Sequence, residues 1–111
     1  MKLKYNSIEY SKLKLLEYLD SNNLDWNTLS RNKNAINLLK NNLNKINWNQ
    51  LSINSNAIEL LEQNKDKINW NHLSNNINGI KLLKDNTHYI IKNNIKINNY
   101  FLSLNKSIFI I

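Results

Sequence analysis

The sequence contains no cysteine, no proline and no valine, and its single glycine is Gly79. Without cysteine the chain forms neither disulfides nor thiolate metal sites, and its redox compartment is left open. No uncharged apolar stretch is long enough for a membrane span, and the first residues lack the apolar core of a signal peptide. We therefore expect a soluble, intracellular protein without membrane contact.

Few residue types dominate the composition: asparagine occurs 26 times, isoleucine 15 times and lysine 14 times in 111 residues. All three have AT-rich codons, so an AT-rich genome accounts for most of this bias and for part of the net charge of +7. Hydrophobic residues, at 41%, suffice for a packed core. The asparagine content and the charge are therefore weak indications of function.

A repeat of 22 residues organises the chain. Trp26, Trp48 and Trp70 mark it, and serine, asparagine, isoleucine and a leucine pair recur in the same register. The terminal copies are atypical, as the ends of repeat arrays are. We expect one domain, 1–111, which consists of an N-terminal capping unit 1–23, the repeats 24–45, 46–67 and 68–89, and a degenerate C-terminal capping unit 90–111.

Each unit shows helical spacing of apolar residues in two places. In the unit 46–67, the spacing predicts helices over about 47–53 and 55–63. One unit buries too little apolar surface to fold alone, so neighbouring units must stack. The predicted fold is all-α: short helix-turn-helix repeats of 22 residues stacked as a small α-solenoid. The predicted core comprises Trp26, Leu29, Ile36, Leu39, Trp48, Leu51, Ile58, Leu61, Trp70, Leu73, Ile80 and Leu83.

Asparagine and serine mark the predicted helix ends. Asn47 precedes the first helix as an N-cap, with Gln50 placed as in a capping box. Asn54 or Ser55 is expected to cap the second helix, and Asn64 to adopt the left-handed conformation after it.

A leucine-rich repeat is the structural alternative, because its period of about 20–29 residues includes this one and asparagine is typical of it. That frame requires a buried apolar residue where this chain has Asn27, Asn49 and Asn71. The all-α interpretation avoids this conflict.

The unit from Trp48 to Ile68, W-x-x-L-S-x-N-x-x-A-I-x-L-L-x-x-N-x-x-K-I, resembles short asparagine-rich repeats of proteins from mimivirus-like giant DNA viruses. The resemblance covers residues 24–89 closely and the flanks loosely. It implies a viral protein that acts in the host cytoplasm or is packaged in the virion, and it implies no enzymatic activity.

The residues themselves also predict neither catalysis nor a cofactor. His72 takes the slot of Thr28 and Gln50, a variable position that we expect to face solvent. Asp85 and His88 are two candidate metal ligands at helical spacing, and two ligands make no closed site. The sequence has no nucleotide-binding glycine loop and no zinc-protease motif.

Two repeated features raise the alternative of nucleic-acid binding. Evenly spaced tryptophans suit base stacking, and one fixed asparagine in each unit (Asn27, Asn49 and Asn71) suits base reading. The charge, however, falls from +3 in 24–45 to −1 in 46–67 and forms no continuous basic stripe. We interpret the tryptophans as packed between units and these asparagines as a ladder of hydrogen bonds between them.

A protein partner is therefore the expected ligand, with weak nonspecific nucleic-acid binding or a role in virion assembly as alternatives. The C-terminal tail is more apolar than any other segment, which predicts either that it folds back over the last unit or that it mediates self-association. The candidate interface residues are Phe101, Ile108, Phe109, Ile110 and Ile111.

Overall fold

A computed structural model describes residues 23–99 and Ser103. Throughout this part of the chain the regular elements are helices and no strand occurs, which confirms the all-α prediction. A leucine-rich repeat, which needs a strand in each unit, does not fit these residues. The elements are α1 (Trp26–Arg31), α2 (Ile36–Lys40), a 3₁₀ segment (Leu43–Lys45), α3 (Trp48–Leu51), α4 (Ile58–Glu62), a second 3₁₀ segment (Lys65–Lys67), α5 (Trp70–Ser74), α6 (Ile80–Asp85) and α7 (Thr87–Lys92).

The helices follow the period of the sequence. The first helix of each unit begins at its tryptophan, and the second begins at Ile36, Ile58 or Ile80. A third helical segment, which the prediction lacked, begins at the same interval with the residues Leu43, Lys65 and Thr87. It has no apolar periodicity of its own, so pattern analysis could not reveal it.

The predicted first-helix caps are confirmed. Asn47 accepts a hydrogen bond from Gln50 N at 3.1 Å, and Asn69 caps α5 in the same way. The prediction of a capping box is wrong, because the backbone N–H of Asn47 donates to Ser30 Oγ at 2.9 Å rather than to the Gln50 side chain. Ser30 of the preceding unit therefore accepts the hydrogen bond that was predicted to go to the Gln50 side chain.

The second helix differs from the prediction at both ends. α4 begins at Ile58 after Ala57, which offers no side-chain cap, whereas Asn54 Oδ1 holds the preceding turn through Asn56 N at 3.1 Å. Asn64 has a φ of −137° and not the predicted left-handed conformation. Its Nδ2 donates instead to Leu60 O at 2.9 Å, which satisfies a carbonyl of the final turn.

The core runs along the faces where the helices meet. Of the predicted core residues, five are buried: Leu39, Leu51, Leu61, Trp70 and Leu73. The others are half-buried: Trp26, Leu29, Ile36, Trp48, Ile58, Ile80 and Leu83. Further buried apolar residues include Leu60, Leu82, Ile46, Ile68 and Ile90. No helix within residues 23–99 has the length and apolar character needed to cross a membrane.

Candidate functional site

Serine hydroxyls connect consecutive units. Ser52 Oγ donates to Trp48 O at 2.7 Å within its own helix and accepts from Asn69 N of the next unit at 3.0 Å. Ser30 makes the corresponding bonds one unit earlier, and both serines are fully buried. A hydroxyl can donate and accept at once, so one serine supplies the acceptor for the backbone N–H of the next unit and a second donor to a carbonyl of its own unit, which already accepts a backbone N–H.

Two buried asparagines form a second connection. Asn54 Nδ2 donates to Ser30 O at 3.0 Å and to Asn32 O at 3.1 Å. Asn76 repeats this arrangement on Ser52 O and Asn54 O, at 3.0 and 2.9 Å. Because a carboxamide has two N–H donors, each asparagine reaches two carbonyls of the preceding unit. These side chains are 2% and 1% exposed, so the bonds are shielded from water.

A third asparagine series joins the turns of consecutive units. Asn56 Nδ2 donates to Lys33 O at 3.0 Å, and Asn78 Nδ2 donates to Ser55 O at 2.9 Å. Across the described part of the chain, every buried side-chain nitrogen and oxygen has a hydrogen-bond partner. The buried serines and asparagines that bond between units are Ser30, Ser52, Asn54 and Asn76.

The predicted ladder of outer asparagines is confirmed. Asn27 Oδ1 accepts from Asn47 Nδ2 at 2.7 Å, and Asn49 Oδ1 accepts from Asn69 Nδ2 at 3.0 Å. Asn71 Oδ1 accepts from the backbone N–H of Asn98, beyond α7. Unlike the buried series, this one lies at the surface: Asn27 and Asn49 are exposed and Asn71 is half-buried.

His72 occupies a partly accessible surface position, like Gln50 one unit earlier, and it makes a contact that was not predicted. It is half-buried, and its Nδ1 lies 2.9 Å from the backbone carbonyl oxygen of Asn49. A carbonyl only accepts hydrogen bonds, so Nδ1 carries a proton in this contact. His72 therefore adds one more bond between the second and third units.

The three tryptophans are not equivalent. Lys45 Nζ lies 5.4 Å from the ring centroid of Trp26, and Lys67 Nζ lies 5.8 Å from that of Trp48. These distances are typical of cation–π contacts. The 22-residue spacing of these lysines was visible in the sequence, but their contacts with the tryptophans were not predicted.

A polar groove runs beside the first two units. It is lined by Asn27, Thr28, Arg31, Asn32 and Gln50, and its volume is about 460 Å³. The groove lies between α1 and α3, the helices that carry the first two outer asparagines. Of these two asparagines, Asn27 lines the groove, and its side chain is exposed there.

Titratable groups are few near this groove. The hydroxyl of Thr28, followed by its backbone N–H, donates to the Asp25 carboxylate and lowers the pKa of that carboxyl below its ordinary value.

Asp85, one of the two candidate metal ligands, pairs with Lys81 at 2.7 Å on α6. Residues 23–99 bring no three histidine or carboxylate side chains together in a way that could hold a metal ion.

The remaining candidate residues, Phe101 and those of 108–111, lie outside the described residues. No protein-family model, no curated protein and no solved structure matches this chain.

Proposed function

We propose that this chain is a non-enzymatic α-solenoid that binds a protein partner through the face formed by its first helices, α1, α3 and α5. The main observation is that the repeated positions hold the units together, whereas the variable positions are accessible at the surface. The repeated serines and buried asparagines, such as Ser52 and Asn54, form the bonds between units. The positions that vary between units are accessible side chains, such as Thr28, Gln50 and Arg31.

This pattern is typical of repeat proteins that bind other proteins, in which a constant interior supports a variable surface. The exposed variable positions include an apolar one, Ile77, which is 50% exposed. The dimensions also suit an array, since the molecule measures 57 × 30 × 21 Å along its principal axes.

The charges on the proposed face favour a protein over a nucleic acid. Among the first helices, α3 carries no charged residue, and α1 carries Arg31 with Asp25 at its N-cap. The lysines of the described units lie mainly on the second and third helical segments, and of these Lys45 and Lys67 each reach a single tryptophan ring of α1 or α3. Phosphate binding needs clustered cations, which this face lacks.

The resemblance to giant-virus repeats supports the proposal that the partner is met in an infected cell, either as a host protein or as a component of the virion. Under this proposal the weak nonspecific attraction to nucleic acids is a by-product of the net charge of +7.

Affinity capture with two matched variants tests the proposal. Gln50→Glu and Gln63→Glu introduce the same charge, the first beside the groove and the second at the exposed end of α4. The immobilised protein is incubated with nuclease-treated lysate of infected host cells. We expect a protein that binds the wild type and Gln63→Glu but is depleted on Gln50→Glu. Ligands that are captured from untreated lysate and lost after nuclease treatment would indicate nucleic-acid binding instead.

A further inference from the structure

The outer asparagines have a fixed orientation, and the N-caps determine it. Asn47 Oδ1 accepts from Gln50 N, so the group that Asn47 turns towards α1 is its Nδ2. A donor needs an acceptor, and Asn27 must therefore present Oδ1 to it. The Nδ2 of Asn27 is then directed away from this contact, and among the described residues it has no hydrogen-bond partner.

The same reasoning holds in the next two units. Asn69 caps α5 with its Oδ1, so its Nδ2 donates to Asn49 and fixes Oδ1 of Asn49 inward. For Asn71 the donor is a backbone N–H, that of Asn98, which leaves no choice of orientation. Asn27, Asn49 and Asn71 thus each have an amide donor without a partner among residues 23–99, and the side chains of Asn27 and Asn49 are exposed.

A regular row of neutral donors fits a regular row of neutral acceptors. The donors lie on α1, α3 and α5, which hydrogen bonds join in sequence, and helices in contact lie about 8–10 Å apart. In a polyproline II helix every third carbonyl points the same way, about 9 Å along the axis, and none of the carbonyls is used internally. In a β-strand the equivalent carbonyls repeat after two residues, at about 6.6 Å, and do not match.

We propose that the outer asparagines bind an extended peptide in the polyproline II conformation through every third backbone carbonyl. The proposal rests on the proposed function, since it names the kind of segment that the protein partner supplies. The groove beside Asn27 and Gln50 provides about 460 Å³ for one turn of such a peptide. The scarcity of charge on these helices suits a backbone that carries none.

Asn49→Asp is the sharpest test because it is nearly isosteric. Its carboxylate still accepts from Asn69 Nδ2, so the contact between units is kept, whereas the outward amide donor is replaced by an acceptor. Asn37→Asp is the matched control: it adds the same charge on α2, where the side chain of Asn37 is exposed. The probe is fluorescein-labelled nonaproline, and its binding is measured by fluorescence anisotropy.

We expect nonaproline to bind the wild type and Asn37→Asp alike, and Asn49→Asp at least about fivefold more weakly. An equal loss in both variants, no loss in either, or no binding to the wild type would overturn the proposal. Binding of labelled oligothymidine that Asn49→Asp weakens, without nonaproline binding, would also overturn it in favour of nucleic acid. If nonaproline does not bind while the Gln50-dependent partner is still captured, the proposed function stands and this inference fails.

Discussion

The ring of Tyr89 packs against that of Trp70, with centroids 5.9 Å apart and 44° between the ring planes. Tyr89 occupies the position that Lys67 has one unit earlier, where the ammonium group lies over Trp48. An aromatic ring covers more apolar surface than an ammonium group on its flexible stem. In agreement, Trp70 is 4% exposed, whereas Trp48 is half-buried.

Exchanging these two residue types should exchange the environments of the tryptophans. Tyr89→Lys should expose Trp70 and lower the free energy of unfolding by about 1–3 kcal/mol. Lys67→Tyr should shield Trp48. Each effect is measured as a shift in fluorescence emission, to the red for Trp70 and to the blue for Trp48, in variants that keep one tryptophan. Unchanged emission maxima in both variants would show that residues 67 and 89 do not determine tryptophan burial.

The buried asparagine connection should be far less tolerant of charge than the exposed one. In Asn54→Asp the turn bond from Asn56 N remains, but a carboxylate oxygen faces the carbonyls of Ser30 and Asn32. A buried charge that faces carbonyl oxygens instead of a cation costs about 3–5 kcal/mol. Asn56→Asp makes the same change at an exposed side chain and should cost under about 1 kcal/mol. Urea denaturation of the two variants measures the difference, and equal costs would contradict the assigned burial.

Sequence periodicity predicted the all-α class and the caps at Asn47 and Asn69, since both depend on residues that are near in sequence. It misassigned Asn54, whose Nδ2 binds carbonyls 22 and 24 residues earlier. A cap and a cross-unit bond use the same side-chain chemistry, so an asparagine alone does not reveal which one it makes.

The polar groove could not be predicted for a related reason. Its lining residues come from two units, and only the stacking of α3 on α1 brings Gln50 near Arg31. The row of outer asparagines, in contrast, was visible as a period in the sequence. Its orientation was not, because the direction of each amide depends on which atom the neighbouring N-cap has already used.

Acidification should weaken the N-cap of α1 through Asp25. Hydrogen bonds from Thr28 favour the carboxylate and lower the pKa of Asp25 in the folded protein, so its contribution is present at neutral pH. That contribution is lost as the pH falls through the folded-state pKa. Asp25→Asn keeps a neutral cap at any pH, as Asn47 and Asn69 do.

We therefore expect the melting temperature of the wild type, relative to Asp25→Asn, to fall between neutral pH and about pH 3. Asp66→Asn is the control, since it removes the same charge from an exposed residue of the second 3₁₀ segment. If the melting temperatures of Asp25→Asn and the wild type depend on pH in the same way, the Asp25 carboxylate does not stabilise the N-cap of α1.

Gly79 stands where the preceding units have Ala35 and Ala57, and the repeat pattern alone would recommend Gly79→Ala. The φ of Gly79 is −89°, which alanine adopts freely, so the loss of unfolded-state entropy would stabilise the variant by about 0.4–1 kcal/mol. A Cβ at this position, however, would lie 2.6 Å from the carbonyl oxygen of Leu73 and 3.0 Å from its Cδ1.

Backbone cannot yield to such a contact as a flexible side chain does, and overpacking of this kind typically costs about 1–3 kcal/mol. The steric term exceeds the entropic one, so Gly79→Ala should lower the free energy of unfolding by about 1 kcal/mol or more. Ala57→Gly is the complementary variant: it deletes a fully buried methyl group and should also destabilise. Urea denaturation measures both. A more stable Gly79→Ala would mean that the carbonyl of Leu73 moves aside, and that glycine at this position is not required by the packing of α6 on α5.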